Sequence, residues 1–201
     1  MLSSAPALRN RAPILEVLRR HLPATGSVLE LASGSGEHAT YFAAALPSLV
    51  FQPSDPEPEA RASIAVRIGQ DALSNVRAPL DLDAASDDWR LPDEIARSLT
   101  AILCINMIHI SPWRAAIGLL RNAARALPQR GLLYLYGPYR RDGRHTAPSN
   151  EAFDRDLRSR NAEWGVRDLE AVLTEAAAQQ LTLVEVVDMP ANNLSVVLRP
   201  M

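Results

Sequence analysis

A chain of 201 residues is long enough for one domain with a sizeable buried core. Its apolar share of 47%, charged share of 22% and net charge of −2 are those of an ordinary globular protein, and they remove the electrostatic reason to expect nucleic acid or a membrane surface as partner. The single cysteine, Cys104, excludes an internal disulfide framework and a cysteine-based metal site.

The segment 1–11 reads as an N-terminal arm. It carries arginine and serine but lacks the long amphipathic stretch of a transit peptide, and no apolar run in the chain reaches the ~18 residues that span a bilayer. A cytoplasmic location is therefore expected. Ile14, Leu15, Leu18 and Leu22 recur at helical spacing and predict a helix from Ala12 to Leu22. A strand over 27–32 ("SVLELA") precedes a helix over 36–46. A second strand over 49–53 precedes a helix over 57–68, with Pro56 at its start. A third strand is expected within 75–82, weakened by Pro79. The run 100–107 ("TAILCINM") is apolar throughout, as a strand buried on both faces would be, and places Cys104 as a small core residue. A helix from Pro112 to about Leu127 and a fifth strand over 131–137 follow.

Beyond Gly137 the alternation changes. A polar loop over 138–148 leads to helices near 149–160 and 167–180, and the chain ends in two strands around a short loop. The expected fold is α/β and Rossmann-like, with helices on both faces of a seven-stranded, mostly parallel sheet and an antiparallel C-terminal strand. No repeat or linker interrupts it, so 1–201 reads as a single domain, with 138–166 an acceptor-side insertion or lid.

Gly34 and Gly36 stand where the first strand ends and a helix begins. Glycine there permits positive φ and close backbone approach to a ligand, and the helix presents free N–H groups. "GSGEHA" fits G-x-G-x-x-G/A, and Asp55 follows Gly36 by 19 residues, the place of an acid that binds a ribose diol. Those features alone fit a nicotinamide dinucleotide. Glu30, four residues before Gly34, argues otherwise. A carboxylate there repels a pyrophosphate but suits the positive charge of S-adenosylmethionine. The backbone of Ala32, Ser33 and Ser35 completes the turn. Asp55 also fits a helix N-cap before Pro56, and the two roles are compatible. Asp83 or its rival Asp81 would reach the adenine amino group. Asn106 and Met107 would wall the cofactor, although Met107 and Ile108 equally suit plain core.

The blocks "LELASGSGEHATYFA", "QPSDPEPEA", "CINMIHISPW", "LYGPYRRDG", "PSNEAFDRDLRSRN", "WGVRDLE" and "MPANNL" resemble the methyltransferase-like 26 family across nearly the whole chain, from Arg9 to Arg199. That resemblance implies a seven-stranded class I methyltransferase fold and S-adenosylmethionine binding. It implies no substrate.

Methyl transfer needs alignment of nucleophile, carbon and sulfur above all, and a base only where the acceptor must lose a proton. His109, after the fourth strand, fits that base; it equally fits a histidine capping the next helix or packed under Trp113. Tyr139 is the second candidate for the reacting end. Arg140, His145, Asn150 and Asn192 lie on loops that suit the rim of an acceptor pocket, where a solvated loop or tight turn is the alternative. No metal site is expected: His38 and His109 have no further ligand near in sequence. The expected acceptor is a small molecule or a protein side chain. A protein that holds the cofactor without transferring, and a nicotinamide oxidoreductase, are the alternatives.

Overall fold

The Ser4 side chain accepts the Ala7 N–H and caps α1, Ala5–His21. This helix begins well before the expected Ala12, so the arm expected over 1–11 shrinks to the residues ahead of Ala5. Pro13 lies inside the helix, where its missing N–H forfeits one bond of the ladder. The computed structural model describes residues 2–201. The chain divides into two compact units. One comprises the residues up to Asp83 with Trp89–Leu103; the other comprises Ala84–Asp88 with Cys104–Met201.

In the first unit α1 is followed by β1 (Gly26–Leu31), α2 (Glu37–Ala45), β2 (Leu49–Pro53), α3 (Pro58–Asp71) and α4 (Asp93–Ser98). β1 and β2 run parallel, in register from Gly26 opposite Leu49 to Glu30 opposite Pro53. Ile14, Leu18, Val28, Leu29, Phe42, Phe51 and Ile64 are wholly buried and form its core. This burial aligns the ends of β1 and β2, and with them Glu30 and Asp55.

The third strand expected within 75–82 is replaced by two isolated parallel bridges, Phe51 to Val76 and Ser54 to Leu80. Between them the chain advances three residues on one side and four on the other, so one residue is extruded. Pro53 and Pro79 both lack the N–H a continuous ladder needs. The buried Gln52 amide fills part of the gap, donating to the Ala78 carbonyl at 2.8 Å and the Pro53 carbonyl at 3.0 Å. The main sheet therefore has six strands rather than the seven expected.

β3 (Leu99–Ile105) runs from the first unit into the second. α5 (Trp113–Ala126) and β4 (Leu132–Gly137) follow it. The polar loop expected over 138–148 is partly ordered as β5 (Tyr139–Arg141) and β6 (Arg144–His145), joined at Asp142 and Gly143 with φ of 49° and 70°. Two residues with positive φ make the tight hairpin turn for which Asp-Gly is a sequence signature. α6 (Pro148–Arg160) leads to β7 (Arg167–Asp168), and a small sheet forms in the order β6-β5-β7. α7 (Leu169–Ala178), β8 (Leu181–Met189), a 3-10 turn at Pro190–Asn192 and β9 (Asn193–Pro200) complete the chain. The main sheet has the order β2-β1-β3-β4-β9-β8, with β9 antiparallel to both β4 and β8. Among the described residues no helix is long and apolar enough to cross a membrane.

Candidate functional site

Glu30 is the penultimate residue of β1 and is only 2% exposed. Its Oε2 is buried without a hydrogen-bond partner. Burial pushes its pKa up to about 7; hydrogen bonding from Ser33 opposes the shift, and the Asp55 charge adds to it. A half-ionised carboxylate with one oxygen unpartnered inside a protein is an unfavourable arrangement unless a cation or donor completes it.

Just beyond it the backbone turns through left-handed conformations at Ala32, Gly34 and Gly36, with φ of 52°, 55° and 78°. A side chain on Gly36 would meet Ile64 Cγ1 at 3.1 Å and Ile64 Cα at 3.2 Å. Around Gly34 the same position is open, with nothing within 4 Å. Ser33 ties the turn to the end of β2: its N–H donates to the Ser54 carbonyl at 2.9 Å, and its hydroxyl accepts the Ser54 N–H at 3.2 Å. Ser35 donates its hydroxyl to Glu37 at 3.1 Å.

Asp55 is buried and has two structural duties. Oδ2 accepts the Gly34 N–H at 2.9 Å, and Oδ1 accepts the Glu57 N–H at 3.0 Å, which holds the approach to α3. Arg61 donates to its backbone carbonyl at 2.9 Å. Each carboxylate oxygen has a second lone pair, so these bonds leave acceptor capacity for ribose hydroxyls. Of the two adenine candidates, Asp81 is exposed and paired with Arg61 at 3.1 Å; Asp83 is exposed.

His38, directly after Glu37 in α2, is a core residue. Its Nε2 hydrogen-bonds Asn10 Oδ1 at 2.7 Å, its ring stacks on Phe42, and burial with the Arg11 charge pulls its pKa down to about 4. Among the described residues no three His, Cys, Asp or Glu side chains are grouped to hold a metal ion. A surface groove of about 610 Å³ is lined by Ala12, Pro13, Leu15, Glu16, Arg19, Tyr41, Ala44 and Ala45; none of the residues expected at the cofactor lines it.

The second unit carries the other candidates. Asn106 has φ of 59° and donates its N–H to the Tyr136 carbonyl at 2.8 Å. Met107 is buried and accepts the Ser111 hydroxyl at its sulfur. His109 is 3% exposed, and its Nδ1 lacks a partner. Its ring meets Phe153 edge-on at 5.6 Å, and a side chain on Gly137 would approach its Cε1 and Nδ1 to 3.0 Å. Glycine at the end of β4 is thus what admits the imidazole. Burial and the Arg167 charge pull its pKa down to about 4, so it is neutral at physiological pH. Trp113, offered as its cover, instead lies beneath the Arg167 guanidinium at 5.7 Å.

Tyr139 is wholly buried, and its hydroxyl has no partner. Burial raises its pKa, with the Cys104 and Tyr134 charges adding, so the phenol stays protonated and offers a donor rather than a base. Arg140 pairs with Asp168 at 2.7 Å across β5 and β7. His145 faces Asp154 at 3.6 Å. Asn150 donates to the Asn192 carbonyl at 2.8 Å, and the Asn192 amide reaches Ser149 at 3.4 Å, so two rim candidates distant in sequence do meet.

Sequence reasoning missed Asp154 and Arg167. Asp154 accepts the Val166 N–H at 2.7 Å and the Arg158 guanidinium at 3.0 Å. Arg167 donates to the carbonyls of Ile108, Ser111 and Glu163 and fixes the segment that bears His109. Both sit in polar helix or strand-end patterns that look solvated, and only their long-range partners distinguish them.

A family model described as "Protein of unknown function (DUF938)" matches residues 1–200. Among solved structures, the mitomycin 7-O-methyltransferase MmcR aligns with a TM-score of 0.80 at 13% identity, covering 98% of this chain and 55% of that one. CalO1, a methyltransferase in calicheamicin biosynthesis in an SAH-bound form, aligns at 0.73 and 18% identity, with coverage of 96% and 54%. An O-methyltransferase family 2 protein from Planctomyces limnophilus, in complex with apigenin, aligns at 0.73 and 20% identity, with coverage of 99% and 66%. This chain spans between 54% and 66% of the length of those chains. The likeness shows an α/β, class I methyltransferase-like fold.

Proposed function

We propose that this chain, which belongs to the DUF938 family of proteins of unknown function, is an S-adenosylmethionine-dependent methyltransferase acting on a small molecule or protein side chain. The observation that carries the reading is the buried, unpartnered Oε2 of Glu30 beside the left-handed turn at Gly34. An ammonium group supplies both the donor and the charge this carboxylate lacks. A pyrophosphate supplies neither and is repelled, which weighs against the nicotinamide alternative. Asp55 would take the ribose hydroxyls with its remaining lone pairs, Gly34 leaves room for close backbone approach, and Asp83 remains the candidate for adenine. Kinship with the methyltransferase-like 26 family, and a cytoplasmic location, belong to the same proposal.

The cofactor, when bound, supplies an electrophilic methyl carbon on a sulfonium that departs as a neutral thioether. An acceptor that loses a proton on methylation would need a base beside it. His109, with an unpartnered Nδ1, is the candidate to receive that proton, and its burial makes it a weaker base than a free imidazole. Tyr139 stays protonated and would donate a hydrogen bond. Arg140, His145, Asn150 and Asn192 remain the candidates for acceptor contact. The compared structures are named as a mitomycin 7-O-methyltransferase, a methyltransferase in calicheamicin biosynthesis and an O-methyltransferase family 2 protein in complex with apigenin, which is in keeping with a small-molecule acceptor.

Burial of both His109 and Tyr139 favours one second reading, a module that holds the cofactor without transferring. Calorimetric titration with S-adenosylmethionine and S-adenosylhomocysteine tests the first step. We expect saturable binding that weakens at least tenfold in Glu30→Ala; no binding at millimolar ligand would remove both readings. Transfer of a labelled methyl group to metabolite and peptide pools, lost in His109→Ala, separates enzyme from module.

A further inference from the structure

The first three described residues, Leu2 to Ser4, lie along the same side chains that hold the glycine turn. Glu37, the first residue of α2, has a side chain only 3% exposed. Its Oε2 accepts the Ser35 hydroxyl from the turn at 3.1 Å and the Ser4 N–H at 3.0 Å. Its Oε1 accepts the Ser3 hydroxyl at 3.3 Å and lies 3.5 Å from Arg67. Arg67 in turn donates through Nε to the Ser35 carbonyl at 3.0 Å and through Nη2 to the Leu2 carbonyl at 3.1 Å. Ser63 repeats the pattern, accepting the Leu2 N–H at 2.8 Å and donating to the Ser35 carbonyl at 3.4 Å. Three side chains on two helices are thus shared between residues 2–4 and Ser35, Arg67 and Ser63 through its carbonyl and Glu37 through its hydroxyl.

We propose that residues 2–4 form a strap coupled to the cofactor turn, with Glu37 as the positioning residue that joins them. This rests on the cofactor reading above and adds a control element to it. When the strap is seated, Glu37 and Arg67 are held by it in the orientation that fixes Ser35. When the strap leaves, Glu37 loses two of its donors while remaining buried, and the turn loses an external restraint. A ligand that requires the ordered turn therefore draws the strap down, and a seated strap raises the affinity for that ligand; the coupling is reciprocal by thermodynamic necessity. Elements that seat over binding loops come from the low-stability end of a structure, and three residues held by a few hydrogen bonds fit that description.

The test uses a fluorophore on Leu2→Cys, whose side chain is exposed and whose strap contacts are made by its backbone, in a Cys104→Ala background, the buried native thiol being the only other cysteine. S-adenosylhomocysteine is the probe, and calorimetry on the same samples reports its binding. We expect saturating probe to raise the anisotropy of the label. Glu37→Gln and, separately, Ser63→Ala should lower the anisotropy without ligand and weaken probe binding by roughly fivefold to thirtyfold, within the usual range of coupling between sites. Arg67→Lys should restore part of the loss seen in Arg67→Ala. A purely structural role would lower the melting temperature of the variants without changing the ligand response of the label. Probe binding with unchanged anisotropy, or full affinity in variants whose strap is free, would overturn the strap and leave the cofactor reading standing. Absence of probe binding in the parent would overturn both.

Discussion

Glu30 is more costly to an empty protein than a neutral residue in its place. Its folded pKa of about 7 lies above the ordinary value of 4.5, so the folded state holds a proton that the unfolded state releases. Stability from this group is present below pH 4.5 and is lost as the pH rises to about 7, a difference of up to roughly 3 kcal/mol. We expect Glu30→Gln to stabilise the ligand-free protein by roughly 1–3 kcal/mol at pH 8 and by much less at pH 5, measured by urea denaturation, while abolishing cofactor binding. An equal effect at both pH values would mean that the carboxylate is not the buried, unpaired group described here. Such a trade of stability for binding is common where a site holds a group ready for its ligand.

At the scale of elements, the passage from β1 into α2 separates two demands on glycine. Gly34 and Gly36 both have positive φ, but only Gly36 faces a close neighbour, Ile64. Gly36→Ala should therefore unfold the protein more easily by roughly 2–3 kcal/mol, from backbone strain and a forced shift of α3. Gly34→Ala meets open space and should cost about 1 kcal/mol from φ alone, yet weaken cofactor binding at least tenfold by occupying room beside the backbone. Thermal melts with parallel calorimetry check the contrast; equal stability losses would contradict it. The missing seventh strand belongs at this scale too. Alternation and composition announced a segment beside β2, but Pro53 and Pro79 interrupt the ladder from both sides, and Gln52 replaces part of it with a side chain. Proline in the sequence marked the weakness without saying that the strand would reduce to bridges.

For the molecule as a whole, the buried titratable groups oppose one another. His38 and His109 have pKa values pulled from 6.5 to about 4, so their stability is present above pH 6.5 and lost as the pH falls toward 4. Glu30 acts in the opposite sense. Between pH 4.5 and 6.5 the unfolded state binds two more protons at the histidines and one fewer at Glu30, a net of one. Stability from these three groups should rise by about 1.4 kcal/mol per pH unit over that window and turn over near pH 6.5 to 7. Replacing both histidines with glutamine should reverse the slope, as read from denaturation midpoints at stepped pH. A flat profile in the parent would show that the imidazoles are not held neutral by burial.

The order of strands and helices was legible because a helix buried on one side carries a period-3.6 apolar pattern, as in α5, while a strand buried on both faces, as in β3, reads as a short continuous apolar run. The glycine turn, with Glu30 before it and Asp55 after it, was legible for the same local reason: backbone that needs positive φ selects its residues. Tertiary structure alone decided what those carboxylates touch. It gave Asp55 two backbone partners, left Glu30 Oε2 without one, and joined Asn150 to Asn192. It also buried His109, flanked by Ile108 and Ile110, and Tyr139, at the start of a polar segment. Desolvation and long-range hydrogen bonds depend on neighbours brought from far along the chain, and no local pattern carries that information.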